Sequence, residues 1–140
     1  MSQEESPQAR IQSVVTLYSN GQVQEALDSV QTLIKDYPKE ALFHNICGAC
    51  YSGLGQLDAA LKSYKQALAI KPNYAEANNN LGVALQELGQ LNEAVKSYEQ
   101  AIEIKSDYAE ANNNLGVTLQ ELGQLNKAIK CYKQAIEIKS

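Results

Sequence analysis

Apolar and polar positions along the chain follow a helical rhythm. From Ala75 to Leu88 the apolar side chains fall at Ala77, Leu81, Ala84, Leu85 and Leu88. From Leu91 to Ile104 they fall at Leu91, Ala94, Val95, Tyr98, Ala101 and Ile102. Spacings of three and four place each set on one face of an α-helix. No stretch alternates with a strand period over a useful length. Gly89 separates the two runs, and a residue without Cβ accepts the left-handed conformation that ends a helix. Read this way, the chain predicts eight helices, over 7–19, 23–36, 41–53, 57–70, 75–88, 91–104, 109–122 and 125–138. Ser6 before Pro7 reads as an N-cap followed by proline at the first helical position, and Asn73 reads as the N-cap of the fifth helix.

The same pattern recurs. Gly21, Gly55, Gly89 and Gly123 are 34 residues apart, as are Ala26, Ala60, Ala94 and Ala128. Residues 75–106 and 109–140 differ only at Ala84/Thr118, Glu93/Lys127, Val95/Ile129, Ser97/Cys131 and Glu99/Lys133. The period defines units 7–40, 41–74, 75–108 and 109–140, with 1–6 left as a disordered N-terminus. A single helix pair cannot bury its apolar stripe alone, so the units must stack. The expected fold is therefore all-α, an α-solenoid of antiparallel helix pairs. Gly82 and Ala94, like Gly116 and Ala128, remove bulk where helices approach closely, and Tyr98 and Tyr132 fill the space beside them.

Composition narrows the function. Twelve basic residues against 16 acidic ones give a net charge of −4, which argues against nucleic acid as partner, because phosphate binding requires a basic surface. No apolar run approaches the roughly 18 residues of a membrane span, and the acidic opening lacks the apolar core of a signal peptide. A cytoplasmic location is the resulting expectation. Cys47, Cys50 and Cys131 are an odd count, which fits reduced thiols better than a disulfide framework.

Few residues could carry chemistry. His44, Cys47 and Cys50 share a helix face at metal-ligand spacing. However, Cys47 holds the position of Leu81 and Leu115, and Cys50 that of Ala84 and Thr118, so they read as packing residues. No second histidine exists to complete a zinc site or a Ser-His-Asp triad. Gly48 to Gly53 has the glycine spacing of a phosphate loop, but Leu54 and Gly55 stand where Lys and Ser/Thr are needed. Glu76/Glu110 and Glu87/Glu121 recur at the repeat period, as a solvated face does. The chain is expected to have no catalytic set, cofactor or metal.

The unit resembles the tetratricopeptide repeat through Leu81-Gly82, Leu85, Gly89, Ala94, Tyr98 and Ala101. Leu115-Gly116, Leu119, Gly123, Ala128, Tyr132 and Ala135 repeat the match, and Gly48, Tyr51, Gly55, Ala60, Tyr64, Ala67 and Pro72 extend it. The resemblance covers about 7–140. It departs from the family at His44, Asn78 and Asn112, where a tryptophan is usual, at Ser106, where the other turns have proline, and in the first unit, which has Ser13-Val14 for Leu-Gly. That unit reads as an atypical terminal repeat.

The resemblance implies a right-handed superhelix whose first helices line a concave groove. The function implied is a scaffold that binds an extended peptide or protein segment there. Asn45, Asn79 and Asn113 form one row and Asn80 and Asn114 the next. Asparagine is a mediocre helix former, and an amide both donates to and accepts from a peptide backbone. The rows are similar to the asparagine ladders of some glycosyltransferase repeat domains; duplication of a tolerated residue accounts for them equally well. Glu76, Glu87, Glu110 and Glu121 flank them and make the expected groove acidic, which argues against a clamp for a C-terminal carboxylate. Near-identical units after an irregular start are also similar to the N-terminal arrays of bacterial multidomain proteins. That leaves open a substrate-recruiting arm of a transferase whose catalytic domain lies beyond residue 140.

A third reading is self-assembly. No extra polar helix follows 125–138, so Tyr132 and Ile136 are expected to form a sticky end. Contact through it would be a two-fold homodimer or head-to-tail stacking, and the irregular first unit favours the two-fold form.

Overall fold

The computed structural model describes residues 6–139. Among these, the elements are α1 (Pro7–Ser19), α2 (Val23–Asp36), α3 (Ala41–Gly53), α4 (Leu57–Ile70), α5 (Ala75–Glu87), α6 (Leu91–Ile104), α7 (Ala109–Glu121) and α8 (Leu125–Lys139), with no strand. Each expected helix is present, and no boundary differs by more than one residue. The stretch 1–6, expected to be disordered, lies outside the described residues except for Ser6. That residue caps α1, its side chain accepting the Ala9 N–H at 3.1 Å.

The helix pairs turn as their glycines require. At the end of α5, Gly89 has φ +79°. Its N–H donates to the Gln86 carbonyl at 3.0 Å, and the Gln90 N–H reaches back to Leu85 at 2.9 Å. This 6→1 and 5→2 pair satisfies carbonyls that the helix end leaves open. The start of α5 differs from expectation. Pro72 and Asn73 form the turn, and Tyr74, in extended conformation, is the N-cap with no side-chain bond. Asn73 is therefore one residue too early to serve as cap.

Contacts divide the chain into two compact units at Ile70/Lys71. In the first, α1 packs on α2, α2 on α3, and α3 on α4. Its core gathers Val14, Leu27, Val30, Leu33, Phe43, Cys47 and Cys50; full burial of such side chains stabilises by about 1.5–3 kcal/mol each. The Tyr37 ring meets Phe43 edge-on at 6.2 Å. In the second unit, α5 packs on α6, α6 on α7, α7 on α8, and α5 touches α7. Tyr98 lies wholly inside it. An ideal Cβ at Gly82 would sit only 2.5 Å from the Tyr98 ring, so the missing methyl is what lets α5 and α6 approach.

Candidate functional site

The position usually held by tryptophan carries a different device here. The Asn78 amide donates to the Tyr74 carbonyl at 3.2 Å, and Asn112 does the same to Tyr108 at 3.1 Å. At the equivalent place in the first unit, His44 Nε2 lies 2.8 Å from the Pro38 carbonyl. A carbonyl can only accept, so Nε2 carries the proton. All three side chains thus tie a helix start or its preceding turn, and all are buried.

The face that carries His44 also carries Cys47 and Cys50, and all three side chains are buried. His44 has committed Nε2, Cys50 is fully buried, and Cys47 accepts a long hydrogen bond from Ser63 Oγ at 3.7 Å. Burial, and next the neighbouring Cys47, push the Cys50 thiol up to about 11. Burial raises Cys47 as well, against the Ser63 hydrogen bond. Among the described residues no three His, Cys, Asp or Glu side chains cluster to hold a metal ion.

The polar rows predicted from sequence fall into three kinds in the structure. Asn79 is an interior residue, only 1% exposed. Its Oδ1 accepts from Asn114 Nδ2 at 3.1 Å, and its Nδ2 faces Glu110 Oε1 at 3.5 Å. Asn79 therefore clasps α5 to α7. Asn80 and Asn114 are half-buried, and Asn113 is exposed. Asn45 is buried in the first unit. There the carboxylate and second amide positions are taken by exposed Leu42 and half-buried Ile46, so α3 lacks the polar pattern of α5 and α7.

A second clasp was less legible. Tyr98 Oη donates to Gln86 Oε1 at 2.7 Å, and Gln86 Nε2 donates to Glu121 at 2.8 Å. Tyr132 repeats the first half, donating to Gln120 at 2.9 Å. Burial raises the Tyr98 phenol pKa first; a hydrogen bond with Thr118 opposes the rise, and the carboxylates of Glu121, Glu87 and Glu110 add to it. Tyr108 is raised by burial and then by Glu110 and Glu76. The glutamate field thus converges on α5 and α7. The signal that could have found both clasps is the spacing: Asn79 to Asn114 and Gln86 to Glu121 are each 35 residues apart, one repeat plus one.

Glu76, Glu87, Glu110 and Glu121 are all exposed. Neither α5 nor α7 contains a lysine or arginine. What these two helices offer is an acidic surface with amide donors and acceptors, held by an interior hydrogen-bond network. Among the described residues no buried side-chain nitrogen or oxygen lacks a partner.

Helix pairs repeating every 34 residues around a glycine turn define an all-α repeat array. The TPR repeat family profile matches residues 51–89 and 85–123, and the Tetratricopeptide repeat profile matches 109–140. The chain belongs to the tetratricopeptide repeat family. No curated protein is a detectable sequence relative. Several solved structures share the fold. A crystal structure of MamA superposes with TM-score 0.87 at 23% identity, covering 96% of this chain and 78% of that one. MamA from Desulfovibrio magneticus RS-1, from residue 41 to its end, gives 0.84 at 20% identity, covering 96% and 76%. TTC0263, a thermophilic TPR protein of Thermus thermophilus, gives 0.87 at 26% identity, covering 95% and 74%. The family is one of scaffolds for protein–protein interaction. No helix among the described residues is long and apolar enough to cross a membrane.

Proposed function

We propose that the α5–α7 surface binds an extended, basic segment of a partner protein. The observation that carries this is the charge of the two helices: four exposed glutamates, no cation, and the amides of Asn80 and Asn114 among them. Amides pair with a peptide backbone whatever its side chains, while the glutamates select lysine and arginine. Asn79 supports the site from inside rather than touching the ligand. Asn45 belongs to the other unit and has no part in this surface.

The test is a titration of the isotopically labelled chain with a lysine- and arginine-rich peptide and with its acid-substituted counterpart. The basic peptide should shift resonances of Asn80, Asn114 and Glu87, and the acidic one should not. Added salt should weaken binding, because the Debye length falls from about 10 Å at 0.1 M to about 3 Å at 1 M. Glu87→Lys should weaken it without altering thermal stability. Shifts confined to residues near Lys62, Lys65 or Lys96, or equal binding of both peptides, would refute the proposal.

A further inference from the structure

The chain contains both a template for a contact and an unfilled copy of it. On α5 and α6, the face bearing Asn79, Tyr98 and Ile102 is covered by α7. Asn79 and Tyr98 are buried there and Ile102 half-buried. One repeat later, Asn113 is exposed, Tyr132 half-buried, and Ile136 67% exposed. These three flank a cleft of about 300 Å³ between α7 and α8. Leu125 and Ile129 extend the apolar surface, at 57% and 50% exposed.

The template says what a covering helix must carry. Toward α5 and α6, α7 offers the Asn114 amide to Asn79 and sets Thr118 beside Tyr98. At the same repeat positions α1 carries Gln12 and Thr16, both exposed. Their local geometry matches as well. Thr16 Oγ1 donates to the Gln12 carbonyl at 3.0 Å, as Thr118 Oγ1 does to Asn114 at 2.9 Å. Charge points the same way. Four lysines against one glutamate make α8 basic, and three acids against one lysine make α2 acidic. Two α8 helices meeting by a two-fold axis would oppose lysines to lysines, which is unfavourable.

We infer that the α7–α8 face receives α1 of a second copy of this chain, so that copies associate head to tail. Gln12 of the incoming helix takes the place of Asn114 opposite Asn113, and Thr16 that of Thr118 opposite Tyr132. Such a contact is heterologous: it joins two different patches, and each contact leaves one patch of each kind free for a further copy.

The experiment is sedimentation of the 140-residue chain from ~5 μM to ~1 mM, the range in which small interfaces associate. Mass should rise past the dimer with concentration and fall back with salt. Ile136→Lys destroys the receiving face, and Thr16→Arg the incoming one; both positions are exposed, and circular dichroism checks that each variant folds. Each variant alone should remain monomeric. Mixed, they should form a 1:1 dimer and stop there, because each retains one good face. A monomeric parent chain throughout would overturn the inference. So would dimerisation of Thr16→Arg alone, which would show a two-fold contact, and so would failure of the mixture to pair.

Discussion

Gly82→Ala tests the packing at its tightest point. Alanine in a helix interior is favoured over glycine by about 1 kcal/mol, so propensity alone makes the change stabilising. Packing opposes it. The new Cβ would lie 2.5, 2.7 and 2.9 Å from Cε1, Cδ1 and Cζ of Tyr98, whereas carbon atoms rest at about 3.5–4.0 Å. The ring must retreat by roughly 1 Å. It has no room to do so, being fully buried with its hydroxyl held at 2.7 Å by Gln86. Overpacking of this kind costs about 1–3 kcal/mol, and disturbing the Tyr98–Gln86 bond adds about 0.5–1.5 kcal/mol. Against the helix gain, the net expectation is about 1–2 kcal/mol of destabilisation. Gly116 supplies the control in the same protein. Its added Cβ would lie 2.7 to 3.1 Å from the Tyr132 ring, which is only half-buried and can swing aside. Gly116→Ala should therefore be neutral or slightly stabilising. Urea unfolding followed by circular dichroism measures both, with thermal midpoints moving roughly 4 °C per kcal/mol. The reasoning fails if Gly82→Ala is as stable as the parent chain, or if Gly116→Ala is the more damaging of the two.

Three further outcomes follow from the site. Asn79→Ala leaves the Asn114 amide without its acceptor in the interior and should cost about 1–3 kcal/mol, while Asn113→Ala, at the exposed equivalent, should stay within about 0.5 kcal/mol; equal urea midpoints would show that the clasp contributes nothing. Cys50 is held neutral in the fold with its pKa raised to about 11. The stability this gives is complete below the unfolded thiol pKa of about 8.5 and declines as pH rises toward the folded value. Buried Tyr98 acts with the same sign above about pH 10. Melting temperatures should be level from neutrality to the unfolded thiol pKa and then fall, and Cys50→Ala should lessen the first part of the fall; an identical profile would refute the assignment. Zinc added in stoichiometric amount should not shift the melting temperature, and a shift abolished by Cys47→Ala would overturn the packing role given to that residue.

The fold was legible because duplication writes one helical pattern four times. Glycines such as Gly89 mark turns whose geometry follows from chirality alone. The N-cap was harder to place: Asn73 looks right in isolation, but the turn takes in both Pro72 and Asn73, as the turn without proline takes in Ser106 and Asp107, and Tyr74 becomes the boundary. The site was only half legible. The carboxylates of α5 and α7 are exposed, as their recurrence suggested. The asparagine rows read as one uniform ladder in sequence, yet Asn79 is interior and Asn113 is not. Their chemistry is identical. What differs is whether another helix lies against them, and no local pattern records that. The Tyr98–Gln86–Glu121 chain was hidden for the same reason, since its members lie on three helices.

The open turn at Gly89 has a stereochemical consequence. Its φ is +79°, yet a Cβ built there would meet nothing within 4 Å. The turn therefore demands handedness, not smallness. An L-residue at this position is strained by about 1–2 kcal/mol, however small its side chain. Its mirror image is not. A chain assembled by chemical ligation with D-alanine at position 89 would adopt this positive φ without that penalty. It would also begin from a less disordered unfolded state, which favours folding by about 0.4–1 kcal/mol.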